Sequence, residues 1–176
     1  MDKTVFLEVF NCCHGIAQVE EEFFWLVNQV EALHPKVIIE VGVYKGGSLK
    51  FWEYLLPHNG LLIGVDWFTD VNAVVGWKWQ ESTRKIVLIN GVSYDPETVS
   101  QVQATLNGKY ADFIFLDASH DDESVRKDFE GYVPFLRKGG LIGIHDTAVC
   151  KGFFKSLSGR KEELLAPHGM GTWWKK

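Results

Sequence analysis

The stretch "VIIEVGVYKGGSLKFWEYL", residues 37–55, passes from an apolar run through an acid and three glycines into the periodicity of an amphipathic helix. Val37 to Val41 is short and rich in β-branched residues and reads as a buried strand, while Gly42, Gly46 and Gly47 read as the turn into the helix that follows. Four more runs of this kind occur: "LLIGV" (61–65), "IVLIN" (86–90), "DFIFLD" (112–117) and "LIGIH" (141–145). Successive runs begin 24, 25, 26 and 29 residues apart, with helix-like segments between, which predicts βα units in a parallel sheet. Their near-continuous hydrophobicity, without alternation, requires helices on both faces. The expected fold class is α/β, a Rossmann-like, doubly wound and mostly parallel sheet.

The intervening segments carry helix signals. "AQVEEEFFWLVNQVEAL" has an apolar stripe of Phe23, Leu26, Val27, Val30 and Leu33 and stops before Pro35. "YDPETVSQVQATL" offers Asp95 as N-cap and Pro96 at the first helical position, with Val99, Val102 and Leu106 facing inward. In "HDDESVRKDFEGYVPFLRKGG" the acids 121–123 suit a helix start, Pro134 ends or kinks the helix, and Arg137, Lys138 and Gly139 suit a helix end. Residues 151–176 read as a short helix and a hairpin, residues 1–17 as an N-terminal extension, and 18–150 as the core of a single domain spanning 1–176.

Composition narrows the class. A chain of 176 residues that is 46% hydrophobic is long enough to bury roughly 70% of its unfolded surface without staples. The net charge of -5, with 18 basic and 23 acidic residues dispersed, argues against a nucleic-acid partner. Three cysteines, Cys12, Cys13 and Cys150, form neither a disulfide framework nor a metal pair, and no segment is long and apolar enough to span a membrane. A cytoplasmic protein with no membrane partner is expected. Seven tryptophans hint at an aromatic surface patch and leave self-association open.

The carboxyl ends of the five runs carry Glu40, Asp66, Asn90, Asp117 and the pair His145 and Asp146. In an open α/β sheet the ligand crevice lies outside those ends, at the point where strand order reverses. The pattern Glu40-x-Gly42-x-Tyr44-x-Gly46-Gly47-Ser48 is not the spacing of a dinucleotide loop, and an acid there opposes a pyrophosphate. It suits a cation. S-adenosylmethionine carries an ammonium and a sulfonium and no phosphate. Asp66 is placed to accept ribose hydroxyls, Trp67 and Phe68 to pack on adenine or else to fill core, and Ser93 to meet the adenine end.

The motifs "IIEVGVYKGGSLKFW", "GVDWF", "FIFLDASHDDESVRKDF" and "PFLRKGGLIGIHDT", in this order, resemble those of class I S-adenosylmethionine-dependent methyltransferases. Within that superfamily they are most similar to small-molecule O-methyltransferases related to the macrocin, mycinamicin and cephalosporin-biosynthesis enzymes. The resemblance covers about residues 18–150. It implies strand order 3-2-1-4-5 with a C-terminal antiparallel strand beside strand 5, which accounts for "GMGTWWKK". It also implies a cofactor site on Glu40, Gly42, Tyr44, Gly46, Ser48, Asp66, Trp67, Ser93 and Asp117. Metal-dependent members hold a divalent cation, usually magnesium, at positions matching Asp117, His145 and Asp146. Here the first of the paired positions departs from the usual acid or amide: His145 suits manganese, iron or zinc better than magnesium, so either the metal differs, or His145 only supports the site, or no metal binds. His120, three residues after Asp117, matches a histidine that serves as general base, while a helix cap from Ser119 or Asp121 is the bland reading of the same segment.

The activity these features imply is O-methylation of a small hydroxylated acceptor, a sugar or natural product, with S-adenosylmethionine and with or without a Mg or Mn ion. A cofactor-binding module without turnover is the second reading. A nucleotide-dependent oxidoreductase is the third, disfavoured by Glu40 and the glycine spacing.

Overall fold

The computed structural model describes residues 1–67 and 82–176. Phe68 and the tryptophan-rich stretch after it lie outside the described residues. Six α-helices and seven strands are described in chain order: α1 Lys3–Cys12, α2 Glu20–Glu31, β1 Val37–Val41, α3 Gly47–Leu55, β2 Leu61–Asp66, β3 Lys85–Asn90, α4 Pro96–Leu106, β4 Ala111–Leu116, α5 Asp122–Tyr132, β5 Leu136–His145, α6 Lys151–Ser156, β6 Lys161–Leu164 and β7 Met170–Trp174. The strands form one sheet in the order β3-β2-β1-β4-β5-β7-β6. β1 to β5 pair in parallel, and β7 runs antiparallel to both β5 and β6. The five apolar runs are thus the five parallel strands, and "GMGTWWKK" supplies the antiparallel one. No described helix is long and apolar enough to cross a membrane.

Alternate residues of each strand feed two cores. Val37, Ile39 and Val41 of β1 join Val102, Leu106, Phe129 and Tyr132 on the side of α4 and α5. Ile38 of β1, with Phe113 and Phe115 of β4, joins Phe23, Leu26 and Trp52 on the side of α2 and α3. Glu40 has the parity of Ile38, so its side chain faces the second core, where a carboxylate is least welcome.

The segment read as an extension is part of that second core. Asp2 caps α1 by accepting from the Thr4 N–H at 2.8 Å, and α1 buries Phe6 completely. The Phe6 ring lies 5.4 Å from Phe51, and Phe23 lies 4.9 Å from Trp52, so the helix docks through aromatic contact. Burying one such ring contributes about 1.5–3 kcal/mol, and Leu7, Val9 and Phe10 pack partly buried against the same core.

One helix boundary differs from expectation. α5 stops at Tyr132, because Pro134 removes a donor, and a single 3-10 turn over Val133–Phe135 leads straight into β5. Arg137 and Lys138 are therefore strand residues and not a helix end. Arg137 Nε donates to Asp112 Oδ1 at 2.6 Å, and Asp112 Oδ2 accepts from the N–H groups of Lys36 and Val37, so one carboxylate ties the starts of β1, β4 and β5 together.

Candidate active site

Strand order reverses at β1, whose neighbours are β2 and β4, so the crevice opens at the carboxyl ends of β1 and β4. The ladders run on past the strands: Asp117 N–H donates to Val41 O at 2.7 Å, and Gly42 N–H donates to Val65 O at 2.8 Å. Gly42 has φ 94, and a Cβ there would fall 2.4 Å from the Asp117 carbonyl and the Ala118 nitrogen. This glycine is needed where two loops touch, at the wall of the crevice. A Cβ on Gly47 would likewise fall 2.2 Å from Ile16 N, because residues 15–16 cross over the start of α3.

These loops enclose a cavity of about 400 Å³ lined by Gly15, Ala17, Gln18, Gly42, Val43, Tyr44, Ser48, Asp66, Asp117, Ala118, His120 and His145. That volume is in the range of small-molecule sites. Among the described residues the lining contains two carboxylates and no lysine or arginine, the reverse of a pyrophosphate site.

Each polar group is held by named partners. Asp66 Oδ2 accepts from the N–H groups of Val43 and Tyr44 at 2.8 and 2.6 Å, which fixes the first βα turn; Tyr44 sits at φ 49 and is exposed. Glu40 stands one layer behind the cavity wall, fully buried, and Ser48 donates its hydroxyl to Glu40 Oε1. Burial drives the Glu40 carboxyl well above the usual range. The Ser48 bond opposes this, Asp117 and Asp66 reinforce it, and the nearby Trp52 indole opposes it. Trp52 nevertheless lies outside hydrogen-bonding geometry, so Glu40 Oε2 and Trp52 Nε1 are both buried and unpartnered.

Asp117 is clamped from two sides. Its Oδ1 accepts from His145 Nδ1 at 2.8 Å, and its Oδ2 accepts from the Gln18 side-chain amide. The buried His145 ring also has Nε2 3.6 Å from Glu22 Oε2. Burial alone would lower the His145 pKa, but the Asp117 bond and the charges of Asp117, Asp146 and Glu22 outweigh it and raise the value. His120 Nδ1 lies directly against Asp146 Oδ2, and Asp146 Oδ1 is 3.6 Å from both His145 Nδ1 and His168 Nδ1.

The structure thus gathers Gly42, Tyr44, Ser48, Asp66, Asp117, His120 and His145 around one cavity, with Asp146 paired to His120. Glu40 lies behind the wall. Gly46 is the left-handed N-cap of α3, Trp67 is exposed after β2, and Ser93 is buried, its carbonyl accepting from Tyr132; these three are not among the lining residues. The α5 cap is Asp121, which accepts from Glu123 and Ser124, so His120 is free of that duty. None of His168, Gln18 and Glu22 was singled out from the sequence. A signal existed for Glu22, four residues before Leu26 and hence a charge on the apolar stripe of α2.

For the divalent cation the residues fit in part. Such ions take oxygen donors. Asp117 and Asp146 supply them, and Asp146 Oδ1 is buried without a hydrogen-bond partner. Of the His145 nitrogens, Nδ1 serves Asp117, and Nε2, buried without a hydrogen-bond partner, is turned toward Glu22. Among the described residues no three His, Cys, Asp or Glu side chains are arranged to hold a metal.

Comparison with known proteins places this geometry. Residues 7–161 match the family model for rhamnosyl O-methyltransferase/CmcI. The chain is 30% identical over 138 residues to demethylmacrocin O-methyltransferase of Streptomyces fradiae, an alignment covering 73% of this chain and 32% of that protein. The structure of the MycE methyltransferase of mycinamycin biosynthesis, in complex with Mg, SAH and mycinamycin VI, is 31% identical with a TM-score of 0.50, covering 66% of this chain and 31% of that one. The O-methyltransferase TomG of Streptomyces achromogenes, in complex with SAM, shares the fold with a TM-score of 0.68 at 13% identity, over 100% of this chain and 92% of that one. The chain spans between 28% and 47% of the length of the curated relatives it matches. It belongs to the rhamnosyl O-methyltransferase/CmcI family.

Proposed function

We propose that this chain is an S-adenosylmethionine-dependent O-methyltransferase that acts, as a single cytoplasmic domain, on a hydroxyl of a small molecule such as a sugar or natural product. The observation that carries the reading is the cavity at the strand-order reversal, lined by Asp66, Asp117 and His120 and, among the described residues, by no basic side chain other than histidine. When bound, the cofactor supplies an electrophilic methyl group on a sulfonium.

The chain's own residues do the rest. Asp66 fixes the turn with Oδ2, and its Oδ1, without a hydrogen bond among the described residues, is available to a ribose hydroxyl. Trp67 and Ser93 flank the adenine end. Asp117 and Asp146 carry the oxygen donors for a Mg or Mn ion, which would bind an acceptor hydroxyl and lower its pKa. His120, with Nδ1 against Asp146, keeps Nε2 as the acceptor for the hydroxyl proton. Holding hydroxyl and methyl in line supplies much of the rate, and this asks for fixed walls more than for covalent chemistry. The family's description, rhamnosyl O-methyltransferase, and the name of one relative, L-olivosyl-oleandolide 3-O-methyltransferase, support an acceptor that bears a sugar.

The test begins with binding. At 100 times its dissociation constant a ligand stabilises by about 2.7 kcal/mol, or roughly 5 °C in melting temperature for a chain of this size. S-adenosylmethionine is expected to give that shift and NAD none; the opposite result would overturn the reading. Methyl transfer to a panel of hydroxylated acceptors then separates an enzyme from a binding module.

A further inference from the structure

Glu22 lies in α2 on the stripe that otherwise buries Phe23, Leu26, Val27 and Val30, and it is fully buried. A carboxylate there is costly unless partnered. Its two oxygens are used differently. Oε1 accepts from the backbone N–H groups of His168 and Gly169 at 3.0 and 2.9 Å, anchoring the loop before β7. Oε2 makes no hydrogen bond and faces His145 Nε2 at 3.6 Å, itself buried and unpartnered. The other nitrogen of the ring, Nδ1, donates to Asp117. One imidazole therefore stands between a carboxylate of α2 and the carboxylate that lines the cavity.

We propose that Glu22 is a positioning residue, which through the His145 ring sets the orientation of Asp117, and that His145 is the bridge in this arrangement and not a metal ligand. The proposal rests on the reading of the cavity as a methyl-transfer site. A loop anchor alone needs only the Oε1 acceptor, which a glutamine would provide without a buried charge. The second oxygen, turned toward an imidazole nitrogen, is what anchoring leaves over.

Glu22→Gln and Glu22→Ala separate the two roles, because glutamine keeps the carbonyl acceptor for His168 and Gly169 and removes the charge facing His145. In Glu22→Gln, kcat is expected to fall about 10–100-fold, the range typical of partners that orient a site residue, with KM for both substrates within about twofold and the melting temperature nearly unchanged. In protein labelled with ¹⁵N-histidine, the His145 ring signals, assigned by their loss in His145→Gln, are expected to move in Glu22→Gln. Glu22→Ala should also lose stability. Turnover within about twofold of wild type together with unmoved His145 signals would reduce Glu22 to a loop anchor and overturn the proposal. Should Glu22→Gln not fold, the wild type decides: slowly exchanging protons on both His145 ring nitrogens support the bridge, and one on Nδ1 alone sinks it. Absence of methyl transfer by the wild type counts against the enzyme reading, while the ring signals still decide the bridge.

Discussion

His120 Nδ1 rests against Asp146 Oδ2, and Asp146 itself sits on left-handed backbone at φ 56, a conformation a non-glycine residue adopts only where its surroundings impose it. A carboxylate at that place can only receive a proton, so the neutral ring carries its hydrogen on Nδ1 and leaves Nε2 basic. His120→Ala is expected to lower kcat about 10²–10⁴-fold, the usual worth of a general base, with the dissociation constant for S-adenosylmethionine within about twofold. Undiminished turnover in that variant, measured by methyl transfer, would remove the ring from the chemistry.

Glu40 titrates with the cofactor. Its folded pKa is raised, chiefly by burial, so the folded state holds a proton that the unfolded state loses, and stability falls as pH rises from the normal carboxylate range through the raised value. A cation brought near favours the ionised form. S-adenosylmethionine should therefore bind with proton release and more tightly as pH rises through the same window. Glu40→Gln is expected to bind more weakly, without proton release, and to lose the stability slope while keeping its fold. Calorimetry in buffers of different ionisation enthalpy measures this; unchanged affinity and proton release would leave Glu40 as a partner of Ser48 alone.

Gly42→Ala tests the contact between the two loops. Its Cβ has no room beside the Asp117 carbonyl, and φ 94 is unfavourable for alanine. A loss of about 2–4 kcal/mol in chemical denaturation is expected, together with loss of cofactor binding. A variant as stable as wild type would mean that the turn yields more readily than its packing implies.

Asp128 offers a stability test away from the cavity. Burial pushes its carboxyl up to about 6, against a hydrogen bond from Ser93 and with help from Asp121. Because the folded pKa exceeds the unfolded one, stability is lost as pH rises from about 4 to about 6 and stays lower above. Asp128→Asn should match wild type near pH 4 and exceed it by about 3 kcal/mol at pH 8. Urea unfolding at the two pH values checks the difference; equal stability at both would show that the ionised carboxylate is well solvated in place.

The sheet was legible because β1, β2, β4 and the second half of β5 are buried on both faces, so these runs announce themselves without reference to neighbours, and half-exposed β3 carries the same apolar composition. Asp66, Asp117 and His120 were legible because topology alone carries strand ends to one edge. Glu40 was legible as an acid at the loop but not as one facing the aromatic core, which depends on the parity of β1. Gln18, Glu22 and His168 reach the site from segments 99 to 147 residues distant from their partners, and no local pattern encodes such pairings. The end of α5 was misplaced because basic residues before a glycine suit a helix terminus and a strand start alike, and Leu136, buried in β5, decided between them.

The anchoring of residues 168 and 169 by Glu22 has a consequence for biosynthesis. Glu22 is made early, yet the amides that satisfy its Oε1 come from a part of the chain translated 146 and 147 residues later. Closing so long a loop is slow and entropically expensive. Until β7 threads between β5 and β6, the nascent protein carries in its second core an acid whose Oε1 lacks those two amides. The parallel sheet and the cavity at its edge can assemble as they emerge from the ribosome, but the Glu22 anchor forms last, and a chain stalled before Met170 would leave the hydrophobic edge of β5 unpaired.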